Sequence, residues 1–299
     1  MVRREHLIDV SARRQLQVVE AGRPDGVAVV VHNGTPGSRL LFRRWIEDAE
    51  ARGIRLIGYD RPGYGGSTPH PGRSVSDAAR DVASIVDYLG IDRFLTWGVS
   101  GGGPHALACA ALLPSRLIAA ASLASVAPHP APGLEWFAGM GEDNVAEFGA
   151  ALKGRASLEA FLARESEAVL GSDLEATADA LRSLLSPVDA EALTTELGDY
   201  LLAVIREGIA RRIDGWLDDD LAFVKPWGFE LRQVSVPVLL WHGVHDRFVP
   251  LAHGEWLSKR VNAVEARFSE SDGHLTLSAR RVPEVHKWLL DRWAAASAG

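Results

Sequence analysis

Short, mostly apolar runs alternate with helical patterns along most of this 299-residue chain. Runs typical of buried strands lie at residues 27–32, 54–59, 93–99 and 117–125. Helical patterns separate them at residues 38–52, 74–89 and 101–113. Because consecutive parallel strands need a crossover connection, this alternation predicts a parallel sheet with helices on both faces.

The alternation stops after residue 125, and a proline-rich stretch follows at residues 128–133. Helical patterns then continue without a strand pattern, at residues 157–170, 173–185 and 197–212. The alternation resumes with strands at 236–242 and 264–269 and helices at 251–261 and 283–293. We therefore predict one α/β core, formed by residues 1–130 and 228–299, and an all-helical cap inserted at residues 131–227.

The overall composition is that of a soluble globular protein, with 47% apolar and 24% charged residues. A net charge of −7 gives no general attraction to nucleic acid or to anionic membranes. The one cysteine excludes an intramolecular disulfide, and no Cys/His cluster has zinc spacing. The sequence shows neither a signal-peptide pattern nor an 18-residue apolar segment, so a cytoplasmic location is expected.

Residues 98–102 fit the pattern G-x-S-x-G and lie where a predicted strand meets a predicted helix. A sharp turn there brings neighbouring segments close together, and its glycines leave room for that approach. The turn exposes the hydroxyl of Ser100 and points the first N–H groups of the helix at the same space. Although an ordinary glycine-rich turn would match the motif alone, this context makes Ser100 the candidate nucleophile.

A serine hydroxyl is a weak nucleophile near neutral pH and needs a base. Asp246 is the only carboxylate in the loop after the strand at 236–242, and His274 is the only histidine in the loop after the strand at 264–269. The chain order Ser, Asp, His is the one expected for this strand-turn-helix arrangement. We predict that His274 is the general base and that Asp246 orients it.

An oxyanion hole requires two donors near the nucleophile, and we predict the main-chain N–H groups of Thr35 and Gly101. Thr35 lies in a turn-rich loop after the strand at 27–32. Pro36 supports this choice because it cannot donate a hydrogen bond and makes the turn rigid.

Several other reactive residue types have a simpler expected role. We expect His32 to tie down its loop, His105 to be structural, Asp272 to cap a turn and Cys109 to be a buried thiol. The acidic run Asp218, Asp219 and Asp220 is expected to be a solvated edge of the cap and not a metal site.

Four segments together resemble the α/β-hydrolase superfamily, and the likeness covers nearly the whole chain. Residues 33–38 resemble its His-Gly-x-Pro loop, and residues 60–67 its Asp-x-x-Gly-x-Gly-x-Ser loop. Residues 98–102 resemble the nucleophile elbow, and residues 243–250 and 273–274 resemble the acid and histidine loops. The resemblance implies an α/β-hydrolase fold, with a mostly parallel, doubly wound sheet, an inserted helical cap and a Ser-Asp-His triad.

Two departures from the superfamily patterns bear on activity. Asn33 stands where histidine is usual, with His32 one place earlier. The serine nucleophile disfavours epoxide hydrolases and haloalkane dehalogenases, which use aspartate. Proline iminopeptidases share a helical cap but have different elbow and oxyanion loops, so that activity ranks lower.

The predicted reaction is cleavage of an ester or related acyl bond of a small, apolar substrate through an acyl-enzyme on Ser100, without a metal or cofactor. Trp97, Asn33 and Phe42 are candidate substrate-binding residues. The alternatives are a cofactor-free haloperoxidase or perhydrolase, an iminopeptidase-like peptidase, a carbon–carbon bond hydrolase and a ligand receptor that keeps the triad. A small-molecule substrate is the expected partner, and a homodimer is left open.

Overall fold

The computed structural model describes residues 3–171, 176, 181–193 and 195–298. In this part of the chain one sheet is formed by β1 (Arg4–Ser11), β2 (Arg14–Gly22), β3 (Val27–His32), β4 (Ile54–Tyr59), β5 (Phe94–Val99), β6 (Leu117–Leu123), β7 (Val238–Gly243) and β8 (Val264–Ser269). The strand order is β1-β2-β4-β3-β5-β6-β7-β8. Strands β3 to β8 are parallel to one another, as predicted.

Strands β1 and β2 form an antiparallel hairpin, and β2 pairs with β4, the outermost of the parallel strands on that side. Neither strand of the hairpin was predicted from the sequence. β1 alternates exposed charged side chains with partly buried ones, so it lacks the continuous apolar run of the central strands. Ile8, Leu16 and Val18 are the hairpin side chains that are fully buried.

The helices of the sheet domain are α1 (Arg43–Ala51), α2 (Asp77–Tyr88), α3 (Gly103–Leu112), α9 (Leu251–Ser258) and α10 (His274–Ser297). On one face, α1 and α10 cover a core cluster that includes Trp45 and Trp288. On the other face, α2, α3 and α9 cover a second cluster that includes Val82, Leu107 and Leu257. The prediction of a doubly wound, mostly parallel sheet is confirmed.

Two predicted helices have different limits in the structure. The helix predicted at residues 38–52 begins only at Arg43, because the Asn33 side chain donates hydrogen bonds to the carbonyls of Ser38 and Leu40 at 2.6 and 2.7 Å. The helix predicted at residues 283–293 begins at His274, and Pro283 lies inside it.

Between β6 and β7 the described residues form α4 (Glu142–Lys153), α5 (Arg155–Gly171), α6 (Pro187–Ala192), α7 (Thr195–Ile209) and α8 (Asp214–Phe223). Leu158, Leu162 and Trp216 form a separate apolar cluster that also contains Tyr64 of the sheet domain. The helix predicted at residues 173–185 falls mostly outside the described residues. The limits 131–227 stay a prediction, and we call residues 131–227 the cap segment.

Among the helices in the described part of the chain, none is both long enough and apolar enough to cross a bilayer.

Candidate active site

Ser100 occupies a strained turn between β5 and α3. Its backbone has φ of 55°, a left-handed conformation that few residues other than glycine adopt. A Cβ on Gly98 would overlap the carbonyl oxygen of Gly102, so the turn can close this tightly only with glycine there. The sequence motif therefore corresponds to a real steric requirement, and strain of this kind is typical of functional sites.

Ser100 lines a cavity of about 240 Å³, and so do His274, Thr35 and Gly101. The remaining wall is largely apolar, and much of it comes from the cap segment, including Phe148, Phe161, Leu184, Leu201, Val204, Trp216 and Phe223. The structure thus brings four of the five predicted catalytic and oxyanion-hole residues to one cavity. The fifth, Asp246, lies behind His274.

Asp246 and His274 form a buried pair. The Asp246 Oδ2 atom lies 2.7 Å from His274 Nδ1, and Asp246 Oδ1 accepts the main-chain N–H of Val249 at 2.8 Å. Burial opposes charge on both groups. The attraction between them outweighs it, so the pKa of Asp246 falls to about 2 and that of His274 rises above its usual value. His242 Nε2 lies 3.4 Å from the same carboxylate oxygen.

The His274 ring has neighbours that fix its plane. Phe248 stacks on it with ring centroids 4.5 Å apart. With Nδ1 held by Asp246, the other ring nitrogen, Nε2, is left for proton transfer. This arrangement can orient one tautomer of the imidazole for general-base chemistry.

The sequence analysis missed Asp189, a fully buried residue of α6. Its Oδ2 accepts the main-chain N–H of His274 at 2.8 Å, and its Oδ1 accepts the N–H and hydroxyl of Thr276, each at 2.9 Å. The two main-chain N–H groups belong to the first turn of α10, where a helix has no partners of its own for them. Asp189 therefore caps the helix that carries His274. The adjoining Ser186 donates to the same carboxylate at 2.9 Å.

The predicted oxyanion loop runs beside the nucleophile. A Cβ on Gly34 would lie 3.4 Å from the Cβ of Ser100, and one on Gly101 would overlap the Thr35 hydroxyl. The loop and the start of the turn after β5 are therefore in contact. Thr35 and Gly101 therefore lie next to each other at the cavity wall, and their role as a pair of main-chain donors stays a prediction.

A buried arginine, Arg61, holds the predicted oxyanion loop at residues 33–38. Arg61 donates to the carbonyls of Asn33 and Gly34 at 2.5 and 2.9 Å. Arg61 also pairs with Asp219 of the cap segment, Nη2 to Oδ2 at 2.7 Å. The Thr35 hydroxyl donates to that same Oδ2 at 2.8 Å. One carboxylate thus joins the cap segment to the loop that carries the predicted oxyanion donor.

The acidic run of the cap segment is not solvated, which corrects the expectation for it. Asp218, Asp219 and Asp220 are each no more than 1% exposed. Asp218 pairs with Arg155 at 2.8 Å, and Asp219 lies 2.6 Å from a nitrogen of Arg73. The run looked like surface because the partners that neutralise two of its members lie far away in the sequence.

The candidate substrate-binding residues divide into two groups. Asn33 lines the cavity, although its amide nitrogen is engaged within its own loop. The prediction that Trp97 and Phe42 bind the substrate is corrected. Both side chains are buried in the core between the sheet and α1, and neither lines the cavity. Trp45 lines the cavity in that region, with its ring edge-on to Trp97 at 4.9 Å between centroids.

The residues with simpler expected roles are buried and engaged in the fold. His32 Nδ1 lies 3.0 Å from the Tyr59 hydroxyl, and His105 Nδ1 lies 2.8 Å from the carbonyl of Gly101. Burial lowers the pKa of His105 to about 3, so this ring is neutral. Burial raises the pKa of the Cys109 thiol, which makes it a poor nucleophile.

Known sequences show similarity over part of the chain. A proline iminopeptidase from Xanthomonas citri is 33% identical over 109 residues, which is 35% of this chain and 34% of the relative. A bifunctional esterase/perhydrolase from Acinetobacter calcoaceticus is 32% identical over 108 residues, covering 36% of this chain and 39% of the relative. The chain thus aligns with only about a third of the length of the iminopeptidases it matches.

The similarity in structure extends over nearly the whole chain. A thermophilic esterase from Thermogutta terrifontis superposes with a TM-score of 0.70 at 20% identity, covering 97% of this chain and 99% of the esterase. A sequence identity this low supports the fold alone. The family model for the alpha/beta hydrolase fold matches residues 27–278, which is most of the chain. The chain therefore belongs to the alpha/beta hydrolase family.

Proposed function

We propose that this protein is a serine hydrolase that cleaves an ester or related acyl bond of a small substrate. One observation carries the proposal. A strained Ser100 opens to the same cavity as His274, whose Nδ1 lies 2.7 Å from a buried carboxylate. A serine that opens to the cavity, a base that lines the same cavity and a carboxylate that orients the base are the groups that activation of a serine requires.

The proposed reaction begins when Ser100 Oγ attacks the carbonyl carbon and His274 Nε2 takes the hydroxyl proton. Asp246 stays ionised and stabilises the imidazolium. His274 then returns the proton to the leaving alcohol as the acyl-enzyme forms. A water molecule, deprotonated by the same imidazole, releases the acid and restores Ser100.

The main-chain N–H groups of Thr35 and Gly101 are proposed to hold the negative oxygen of the tetrahedral intermediates. Each donor of this kind contributes about 100-fold or more to the rate. Arg61 and Asp219 act on this pair indirectly, because they fix the loop that carries Thr35.

The cavity supports a small substrate. Its volume of about 240 Å³ and its mostly apolar lining suit a short acyl group with a small leaving group. The esterase/perhydrolase among the relatives is consistent with acyl transfer, and the serine nucleophile is the group that this chemistry uses.

Hydrolysis of 4-nitrophenyl butyrate by wild-type protein and by Ser100→Ala tests the proposal. Removal of the nucleophile is expected to lower kcat by about 10⁴-fold or more, with an unchanged unfolding temperature. Ser278→Ala is the matched control, because Ser278 lines the same cavity and has no role in the mechanism. Turnover retained in folded Ser100→Ala would reject the assignment.

A fluorophosphonate probe separates a hydrolase from a ligand receptor on the same fold. We expect stoichiometric labelling, located at Ser100 by peptide mass spectrometry. A folded protein that neither labels nor turns over any acyl substrate would be a receptor instead. Addition of hydrogen peroxide to the esterase assay tests the perhydrolase alternative, since a perhydrolase would form peracid at the expense of the free acid.

A further inference from the structure

Two carboxyl groups of the cap segment face each other in the cavity that holds Ser100. They belong to Glu147 on α4 and Asp220 on α8, and both line the cavity. Asp220 is 1% exposed, and within the described residues neither of its oxygens accepts a hydrogen bond from a donor group. Burial of an ionised carboxyl group without a donor is costly, so Asp220 either hydrogen-bonds through a proton held with Glu147 or accepts from a bound ligand.

The surroundings of the pair keep it from ionising fully. Burial raises the pKa of Asp220 well above its usual value, and the adjacent carboxyls of Glu147 and Asp219 raise it further. Arg73 opposes this shift, but it lies 2.6 Å from Asp219 and is engaged there. The pKa of Glu147 is raised by burial as well, although Trp216 Nε1 donates to it at 2.7 Å. Without a cation, burial and mutual repulsion therefore favour a proton shared between the two carboxyls over ionisation of both.

The cavity as a whole has an unbalanced negative character. Asp143, Glu147, Glu165 and Asp220 line it, and among its described lining residues there is no lysine or arginine. Asp143 and Glu165 also raise the pKa of Glu147 by repulsion. An anionic substrate would be repelled here, whereas a cation would be attracted.

Helix α8 places Asp220 near the predicted oxyanion hole. Phe223 follows Asp220 by three residues on α8, and a Cβ on Gly101 would lie 3.1 Å from the Cζ atom of Phe223. Three residues of helix correspond to about 4.5 Å along its axis. Asp220 is thus about one helical turn from the residue whose ring approaches the predicted oxyanion hole, and Glu147 lines the same cavity.

We propose that Glu147 and Asp220 bind a positively charged nitrogen of the substrate, an ammonium group that lies a few bonds from the carbonyl attacked by Ser100. As it binds, the shared proton leaves for solvent, both carboxylates accept N–H hydrogen bonds from the ligand, and the charge of the ammonium is matched. Trp216 and Phe148, which also line the cavity, supply aromatic surface for the adjoining methylene groups. The inference rests on the proposed function only in naming the ligand as the substrate.

Binding can be tested without catalysis, by calorimetry of wild-type protein with n-butylammonium chloride and with the uncharged analogue n-butanol. We expect the ammonium to bind at least 10-fold more tightly. Titration in buffers of different ionisation enthalpy should show release of about one proton, because the pair loses the one it shared. Equal affinity for the two ligands, or no proton release at pH 7, would overturn the proposal.

Substitutions locate the binding to this pair. Glu147→Gln keeps an oxygen that can accept from Trp216 but removes the charge, and Asp220→Asn is the second variant in case one of them fails to fold. Each is expected to weaken binding of n-butylammonium by about 10- to 100-fold, the usual effect of losing a hydrogen bond to a charged group. The matched control is Glu142→Gln, an exposed carboxylate on the same helix outside the cavity, which should not change binding. A similar loss in the control would show that the effect is not specific to the pair.

Kinetics then show which side of the scissile bond carries the charge. One arm compares ethyl esters of alanine and propanoic acid, and the other compares acetate esters of 2-aminoethanol and propanol. In one arm, kcat/KM should favour the ammonium substrate by about 10-fold or more, and Glu147→Gln should reduce that ratio toward one. A ratio of one in both arms contradicts the proposal. If instead Ser100→Ala still cleaved these esters, the proposed function would fail, while calorimetry would still decide whether the pair binds ammonium.

Discussion

The carboxylate of Asp189 accepts the main-chain N–H of His274 at 2.8 Å, across a separation of 85 residues in the sequence. The contact joins the cap segment to the candidate general base. Asp189 also accepts both donors of Thr276 and so satisfies the start of α10. The position of the imidazole therefore depends on a residue that the α/β core does not contain.

Asp189→Ala is expected to lower kcat for 4-nitrophenyl butyrate more than it changes KM, because His274 loses the bond that fixes its backbone. Loss of the cap should also lower the free energy of unfolding by about 1–2 kcal/mol. The negative charge of Asp189 raises the pKa of His274, so the acid limb of the kcat/KM profile should move to lower pH. Ser186→Ala, which leaves the contacts to α10 in place, is the control. Reduced stability with an unmoved pH profile would mean that Asp189 serves only as a helix cap.

The pH dependence of kcat/KM should report His274. The neutral imidazole is the form that accepts a proton, so activity should rise as pH increases through the pKa of His274, at a midpoint above 6.5. Asp246, with a pKa of about 2, stays ionised throughout this range. Asp246→Asn should shift the midpoint downward and lower kcat by about 10⁴-fold, as in other triads. An acid limb that stayed in place in this variant would argue that another group controls it.

Asp219→Asn should damage both stability and rate. Arg61 and Arg73 would be left buried without their counter-charge, which typically costs about 3–5 kcal/mol. The Thr35 hydroxyl would lose its negatively charged acceptor, so the oxyanion loop should loosen. Thermal unfolding and kcat, measured well below the unfolding temperature, check the two effects. Asp218→Asn is the neighbouring control, and it should have the smaller effect because its partner Arg155 is 43% exposed.

Two glycine substitutions should have opposite effects. A Cβ on Gly102 would overlap the carbonyl of His32, and both groups are main chain, so Gly102→Ala should destabilise the protein and abolish turnover. Gly149 lies inside α4. Apart from its two chain neighbours and the backbone of its own helix, no atom of the described residues lies within 4 Å of the position that a Cβ would take there. Gly149→Ala should therefore stabilise the fold by about 0.5–1 kcal/mol. Denaturant unfolding measures both. A Gly102→Ala variant with full activity would mean that the turn after β5 has room for a methyl group.

The parallel strands and the three candidate catalytic residues could be predicted because their signals are local. Strands β3, β5, β6 and β7 are runs of mostly apolar residues, and Ser100, Asp246 and His274 follow β5, β7 and β8 at their carboxyl ends. The hairpin β1-β2 could not be recognised in this way, since its outer strand is exposed and charged on one face.

The rest of the site depends on contacts between distant segments, which a single sequence does not reveal. Asp189 lies 85 residues from the helix it caps, and Asp219 lies 158 residues from Arg61. Trp97 and Phe42 were misplaced for a related reason. A strand or loop next to a site contributes side chains to both of its sides, and in these two cases the side chains point into the core.

The Asp219 carboxylate of the cap segment accepts hydrogen bonds from Arg61 and Thr35. These contacts limit which cap segments this protein could exchange with its relatives. Replacing the cap segment with that of another family member would change the side chains that line the cavity. It would also remove Asp219, which holds the predicted oxyanion loop. A functional chimera would need an acidic residue restored at the position of Asp219, with a compatible arginine beneath it. We therefore expect changes in the cap segment to affect both substrate selectivity and turnover.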